Sequence, residues 1–387
     1  MKTRISFVFC LCAVALACGC GSRSGVKAAK KGLAAFKEGR NEKAIAYFTT
    51  ATQQITNDAE LYYHLGLAHL RLGNLVPAQE AFQAALDSKP AELKPSILGS
   101  LGQVAFHQKE YTNALVVLRQ ALAASQDDAT AVRVLTTMGA VEACCKNPSL
   151  ASLYYLRALK LDYRYAPAHY NLAVLYQDQH NLYAEALDSF GLFMSVADKK
   201  DKKRREVEET RIPRLKAKLE RERPRVNINP NATRAGTLLQ TGGNAYAAKD
   251  YTKAIKAYKD ALVADPGTFS AAYGLGNIYR QQKMYAEALT YFKNASDINP
   301  TNQDSYYQAA EVAMQLKQPA EATKILSQAI ARSPYNPASL RLMAQAFAAQ
   351  ARIPEAIAYG EFYLSLVPAT DPDRTPFEKW VHSLKQR

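Results

Sequence analysis

A recurring pair of small residues constrains this chain more than any other feature. Gly66, Gly102, Gly139, Gly242, Gly276, Ala310 and Ala344 are each followed twelve residues later by an alanine, namely Ala78, Ala114, Ala151, Ala254, Ala288, Ala322 and Ala356. Seven residues further on stand Ala85, Ala121, Ala158, Ala261, Ala295 and Ala329, and five beyond four of these a proline follows: Pro90, Pro266, Pro300 and Pro334. The last four units begin 34 residues apart, at Ala235, Phe269, Gln303 and Pro337. A fixed period of this length specifies stacked units, each too small to bury a core alone.

The content of a unit follows from its hydrophobic spacing. Leu275, Ile278 and Tyr279 form one apolar stripe at helical intervals, a polar break follows near Lys283, and Ala288, Leu289 and Phe292 form a second stripe. This predicts a hairpin of two helices and an all-α chain. The helices can close only where side chains are small, at Gly276, Ala288 and Ala295, and Pro300 ends the second helix and turns the chain into the next unit. Hairpins of this kind stack into a superhelix with a concave face.

The period and the Gly–Ala–Ala–Pro pattern resemble the tetratricopeptide repeat (TPR). The resemblance implies an α-solenoid of two superhelical arrays joined by a charged helical spacer. By register the first array occupies residues 25–197 in about five repeats, the spacer and hinge 198–234, and the second array 235–370 in about four repeats. A C-terminal capping helix lies within 371–387, where Phe377, Trp380 and Leu384 recur at helical spacing. The fifth unit departs from the pattern, with Ala173 in the Gly position and one extra residue before Ala186 and Phe190.

Residues 1–20 read as an export signal. Lys2 and Arg4 precede a thirteen-residue apolar run, Ile5 to Ala17, too short to span a bilayer as a helix. Small residues then lead into Cys18 and Cys20, an order that resembles the bacterial lipoprotein signal. That resemblance implies lipidation at Cys18, with Cys20 as the alternative, and a lipid-anchored protein of the bacterial envelope. With Gly rather than Asp after the cysteine, it implies the outer membrane, facing the periplasm.

The net charge of +14 is unevenly spread. Lys199 to Arg225 carries thirteen Lys and Arg against six Asp and Glu, so half of the excess sits in 27 residues, with Lys199, Lys200, Lys202, Lys203, Arg204 and Arg205 leading it. The stretch reads as a charged helix broken or kinked near Pro213, with Ile212, Leu215 and Leu219 as a narrow apolar stripe. It serves either as a solvated spacer or as a contact for anionic surfaces. Without an aromatic for base stacking it does not suit nucleic acid.

Catalytic and cofactor motifs do not appear. The six His form no HExxH, no phosphate-binding glycine loop or nucleophile elbow is present, and Cys144 and Cys145 are adjacent rather than in a CxxC. These features point to a protein without cofactor or metal that is not an enzyme and that binds proteins or peptide segments. In the resembled family the fifth, ninth and twelfth positions of each first helix line the concave face. This mapping implies a groove at Tyr63, Phe106, Tyr170, Tyr246, Tyr273, Asn277, Arg280, Tyr307, Glu311 and Arg341, and the more regular second array as the better site. The competing role for these tyrosines is packing against the next helix. The family's carboxylate clamp is incomplete, because Tyr273 stands where its Lys belongs and Gln308 where an Asn belongs.

Overall fold

The computed structural model describes residues 23–178, 182–199, 201–222 and 232–386. These are helical throughout, with no strand among the described residues. The signal segment with Cys18 and Cys20, Lys200 of the basic run, and most of the expected hinge lie outside them. Contacts divide the chain into two compact units, Met1–Asn147 with Tyr154–Ala168, and Pro148–Leu153 with His169–Arg387.

In the first unit the helices pair as hairpins: α1 (Arg23–Lys37) with α2 (Asn41–Thr52), α3 (Ala59–Arg71) with α4 (Leu75–Asp87), α5 (Lys94–His107) with α6 (Tyr111–Ala124), and α7 (Asp128–Cys144) with α8 (Pro148–Leu161), whose start belongs to the second unit. Side-chain carboxylates start two of them: Asp58 accepts from the Leu61 amide and Asp127 from the Thr130 amide. The second unit holds α9 (Ala166–Asp178) from His169 onward and α10 (Tyr183–Val196), and then the basic segment. From there it continues through α13 (Ala232–Ala247), α14 (Tyr251–Ala264), α15 (Phe269–Gln281), α16 (Tyr285–Ile298), α17 (Gln303–Gln315), α18 (Pro319–Arg332), α19 (Pro337–Ala349) and α20 (Ile353–Leu366). The cap α21 (Arg374–Lys385) ends it.

One turn closes eight of the hairpins. Gly39, Gly73, Lys109, Lys146, Lys249, Lys283, Lys317 and Ala351 all have positive φ, between 57° and 77°. In each case the following amide reaches back five residues, as Met284 N–H does to the Tyr279 carbonyl at 2.8 Å, which satisfies a carbonyl left open by the end of the first helix. The polar break at Lys283 is therefore a left-handed residue without the conformational freedom of glycine.

The small-residue pattern has an equally direct cause. A Cβ placed on Gly66 would lie 2.5 Å from the Phe82 ring, on Gly102 2.5 Å from Leu118, and on Gly276 2.7 Å from the Phe292 ring. Each glycine thus seats the large side chain sixteen residues later, and the alanines that follow, Ala78, Ala114, Ala254, Ala288 and their equivalents, are fully buried. In the last hairpin the sizes exchange. Ala344 faces the Gly360 register, and a Cβ on Gly360 would meet Val381 of α21 at 2.6 Å, so Gly360 is what lets the cap approach.

The basic run is packed along one side rather than free. It forms α11 (Lys202–Glu206), a π-helical turn (Val207–Arg211) and α12 (Ile212–Glu222). The helix passes Pro213 without breaking. Proline has no amide to offer the carbonyl four residues back, and the wide turn just before it, closed by Ile212 N–H to the Val207 carbonyl, takes up the misfit. Val207 and Leu215 are buried, while Ile212 and Leu219 are half-buried.

This segment caps α10 in the same way that α21 caps α20. Arg204 Nη1 donates to the Met194 and Ala197 carbonyls, and Arg374 Nη1 donates to those of Leu364 and Val367, at matching offsets of 10 and 7 residues. Inside the second unit, Glu185 of α10 pairs with Arg332 of α18 at 2.9 Å, and the Tyr359 hydroxyl donates to the Ser149 carbonyl at 2.7 Å. Through Glu185 the fifth hairpin therefore packs with a helix of the second array, and the Tyr359 bond joins α20 to the start of α8.

Candidate functional site

In the first unit three successive first helices and the end of α1 enclose an open groove of about 400 Å³. Its floor is apolar: Phe36 of α1, Tyr63, Leu67 and Leu70 of α3, and Val134 of α7. Room comes from small residues on the middle helix, Ser96, Gly99 and Ser100, and from Thr130 and Thr137 opposite. The rim is polar and exposed, with Arg71, Gln103, His107 and Arg133.

Both arginines are held in place by neutral partners. Arg71 lies over the Phe36 ring, 3.7 Å from its centroid, and donates to the Phe36 carbonyl at 3.0 Å. Arg133 donates to the Thr130 hydroxyl at 3.1 Å and the Ser96 hydroxyl at 3.3 Å. Among the described residues neither has an ion-pair partner, and no acidic side chain lines the groove.

In the second unit the expected groove residues fall on α15, α17 and α19. Tyr273 is half-buried, stacked on Phe269 at 5.6 Å and edge-on to Phe292 at 5.5 Å. Burial, then the nearby Asp304 carboxylate, pushes its hydroxyl pKa up. Arg280 donates to the Asn277 side chain at 3.4 Å and to Gln308, and lies 3.6 Å from Glu311. The Asn277, Arg280 and Glu311 set is thus one connected polar ladder whose charges already meet each other. Arg341 pairs with Asp373, and Tyr307 and Tyr363 lie close enough to act on its charge. The structure brings Tyr273, Asn277, Arg280 and Glu311 together, and places Tyr307 and Arg341 beyond them on the same series of first helices.

The remaining expected residues have other surroundings. Tyr63 is only 9% exposed and packs on Phe82 at 5.8 Å, so most of its ring is core and only an edge reaches the first groove. Phe106 is half-buried between His107 and Tyr111 and does not line that groove. Tyr170 is covered by the basic run, with the Lys203 ammonium 4.5 Å and the Arg211 guanidinium 5.7 Å from its ring centroid. Tyr246 is 39% exposed beside Tyr251.

Of the basic cluster, Lys199, Lys202, Lys203 and Arg205 keep exposed side chains, while Arg204 is spent on the α10 carbonyls. Sequence mapping missed Arg71 and Arg133 because they stand outside the fifth, ninth and twelfth positions, and it passed over Gln103, which stands at the ninth position counted from Pro95. The groove instead opens where Ser96, Gly99 and Ser100 are small. Three small residues within five positions of one first helix were the available signal.

Among the described residues no group of three or more His, Cys, Asp or Glu is placed to hold a metal, and no helix is long and apolar enough to cross a membrane. Cys144 and Cys145 are free, exposed thiols. Burial, then the Glu142 carboxylate, raises the Cys145 pKa, which lowers its thiolate fraction and its reactivity.

Two tetratricopeptide-repeat family models match the chain, one over residues 279–346 and the other over residues 30–92, 78–129 and 239–302, together more than half of its length. A stretch of 85 residues, 22% of the chain, is 32% identical to the anaphase-promoting complex subunit cut9 of Schizosaccharomyces pombe, and spans 12% of that protein. Among solved structures, that of PilF from Pseudomonas aeruginosa is 19% identical, with a TM-score of 0.39 over 64% of this chain and 95% of the other. That of YrrB, a TPR protein with an unusual peptide-binding site, is 17% identical, with a TM-score of 0.31 over 70% and 97%. The repeated hairpins, their shared left-handed closing turn and the matched family models lead to one assignment: the chain belongs to the tetratricopeptide-repeat family.

Proposed function

We propose that this TPR protein is a non-catalytic scaffold that holds segments of partner proteins in its concave grooves, tethered to the bacterial envelope by lipid on Cys18, with Cys20 as the alternative, and serving assembly of an envelope complex. The observation that carries the binding part is the groove of the first unit, where a 400 Å³ opening combines an apolar floor with exposed polar groups. The tether rests on the order of residues 1–20 alone. Cross-linking in cells followed by pull-down tests the grooves. Gln103→Trp, which fills the first, or Tyr273→Ala with Tyr307→Ala, which strips the second, should each remove a partner that the unaltered protein captures; an unchanged partner set in both variants would refute groove binding. Fatty-acid labelling tests the tether: Cys18→Ala should abolish it and release the protein to the soluble periplasmic fraction. Labelling that persists in Cys18→Ala and disappears in Cys20→Ala moves the site to Cys20, and no incorporation in any form defeats the tether.

A second reading rests on a separate observation. Val207 and Leu215 are buried while Lys202, Arg205 and Lys216 keep exposed side chains, and Lys203 and Lys218 lie over the Tyr170 and Tyr183 rings at the edge of the same basic segment. In this reading the protein is mainly structural and that segment rests on anionic lipid or cell wall. Sedimentation with phosphatidylglycerol vesicles should then fall steeply between 50 and 300 mM salt, values on the order of those over which screening lengths shrink appreciably. Salt-independent binding, or none, would exclude it.

A further inference from the structure

We infer that the groove of the first unit is a receptor for acidic peptide segments, with Arg71 and Arg133 as its carboxylate-binding groups. The inference rests on the scaffold reading above and names the chemistry of the partner at that site. Three observations converge on it. Among the described residues the groove is lined by two guanidinium groups and no carboxylate, whereas Arg280, Arg332, Arg341 and Arg352 are each paired with an acidic side chain. Among the described residues each groove arginine is oriented by neutral contacts: Arg71 by the Phe36 ring and carbonyl, Arg133 by the Thr130 and Ser96 hydroxyls. A guanidinium has five N–H donors, and these contacts use one on Arg71 and two bonds on Arg133, leaving forked donors for a carboxylate.

The rest of the groove decides the class of occupant. Its floor of Tyr63, Leu67, Leu70 and Val134 asks for apolar side chains, and the opening beside Gly99 gives them space. Apolar anchors flanked by acidic residues therefore fit, whereas a basic segment would bring like charges together. The second unit offers a contrast, because Arg280 there is already met by Glu311. Capture of an acidic residue at that position would have to break an existing pair, so the preference is assigned to the first groove.

Selection from a random dodecapeptide display library, run on the full chain without its first 22 residues, tests this. Sequences that bind the unaltered protein but not Gln103→Trp define groove ligands, and these should be enriched in Asp and Glu beside Leu, Ile or aromatic residues. For the best of them, measured by fluorescence anisotropy as the synthetic peptide, Arg71→Gln with Arg133→Gln should weaken binding by about tenfold or more. Arg71→Lys with Arg133→Lys, which keeps the charge and loses the fork, should fall between the unaltered protein and the double Gln variant, and the melting temperature should stay unchanged in both. Groove ligands without acidic enrichment, or ones indifferent to the double Gln variant, would overturn this inference and leave the scaffold reading intact. If selection yields no peptide sensitive to Gln103→Trp, peptide capture at this groove fails altogether.

Discussion

The same substitution should have opposite signs at two glycines of the second unit. Gly276 lies in α15, and a Cβ there would stand 2.7 Å from two atoms of the Phe292 ring and 2.9 Å from a third. Real Cβ atoms do not approach so closely, and Phe292 is fully buried, so the ring has nowhere to swing. Gly191, in the middle of α10, is exposed and has nothing within 4 Å of the same construction. Replacing glycine by alanine inside a helix is worth about 0.5–1 kcal/mol from backbone entropy. At Gly191 that gain stands alone, and Gly191→Ala should stabilise by about that amount. At Gly276 it opposes overpacking of about 1–3 kcal/mol, at the upper end because the obstacle is a rigid ring. Gly276→Ala should therefore destabilise by about 2 kcal/mol net. Urea denaturation gives both values, and native-state hydrogen exchange should place the Gly276 loss in α15 and α16. If both variants move stability in the same direction, helix propensity rather than the Gly–Phe seat governs these positions, and the account of the repeat given above is wrong.

Further expectations follow from particular contacts. Lys283 sits at φ 60° in a turn of the kind that holds Gly39 and Gly73 in the first two hairpins, so Lys283→Gly should raise stability by a few tenths to about 1 kcal/mol in the same denaturation assay. Gly360→Val should drive a side chain into Val381 and detach α21, seen as fast amide exchange in residues 374–385 while α17 keeps its protection. His64 packs against Phe36 and Phe48 with its Nδ1 buried and unbonded, and burial holds its pKa below the usual imidazole value. The unfolded chain therefore binds the proton more readily, and the stability due to neutral His64 is complete above pH about 6.5 and declines as the pH falls through the ordinary imidazole pKa. His64→Phe should flatten that decline between pH 7.5 and 5, and an unchanged slope would show that His64 is not its source. In the second unit, Tyr273→Ala with Tyr307→Ala should weaken partner binding by about 2 kcal/mol or more if these rings are contact residues. A large fall in melting temperature with binding retained would instead show them to be core, a role to which the Tyr273 contacts with Phe269 and Phe292 already contribute.

How the repeat was legible in the sequence, and the groove was not, comes down to the range of the interactions. Within a hairpin the contacts are local: Gly66 meets Phe82 and Gly276 meets Phe292 at a fixed offset of sixteen residues, so packing writes itself into the sequence as a period. The helices, their small-residue seats, the polar break at Lys283 and the cap with Phe377 and Leu384 could all be read that way. Register also located Tyr273, Asn277, Arg280 and Glu311 on one face, because each lies at a set position on a first helix.

What tertiary structure alone decided involves partners at no fixed offset. Tyr170 and Tyr273 share a register, yet one lies under Lys203 and Arg211 and the other stacks on Phe269, since only the first is followed by a capping segment. The charge run showed a charged helix but not where its apolar stripe goes: Val207 and Leu215 are buried, and the π turn before Pro213 carries the helix past the proline. The packing of the fifth hairpin with helices of the second array depends on Glu185 meeting Arg332, and that of the start of α8 on Tyr359 meeting the Ser149 carbonyl. These pairs are separated by 147 and 210 residues. No period links such positions, so the sequence holds the chemistry of each side chain but not the identity of its neighbour.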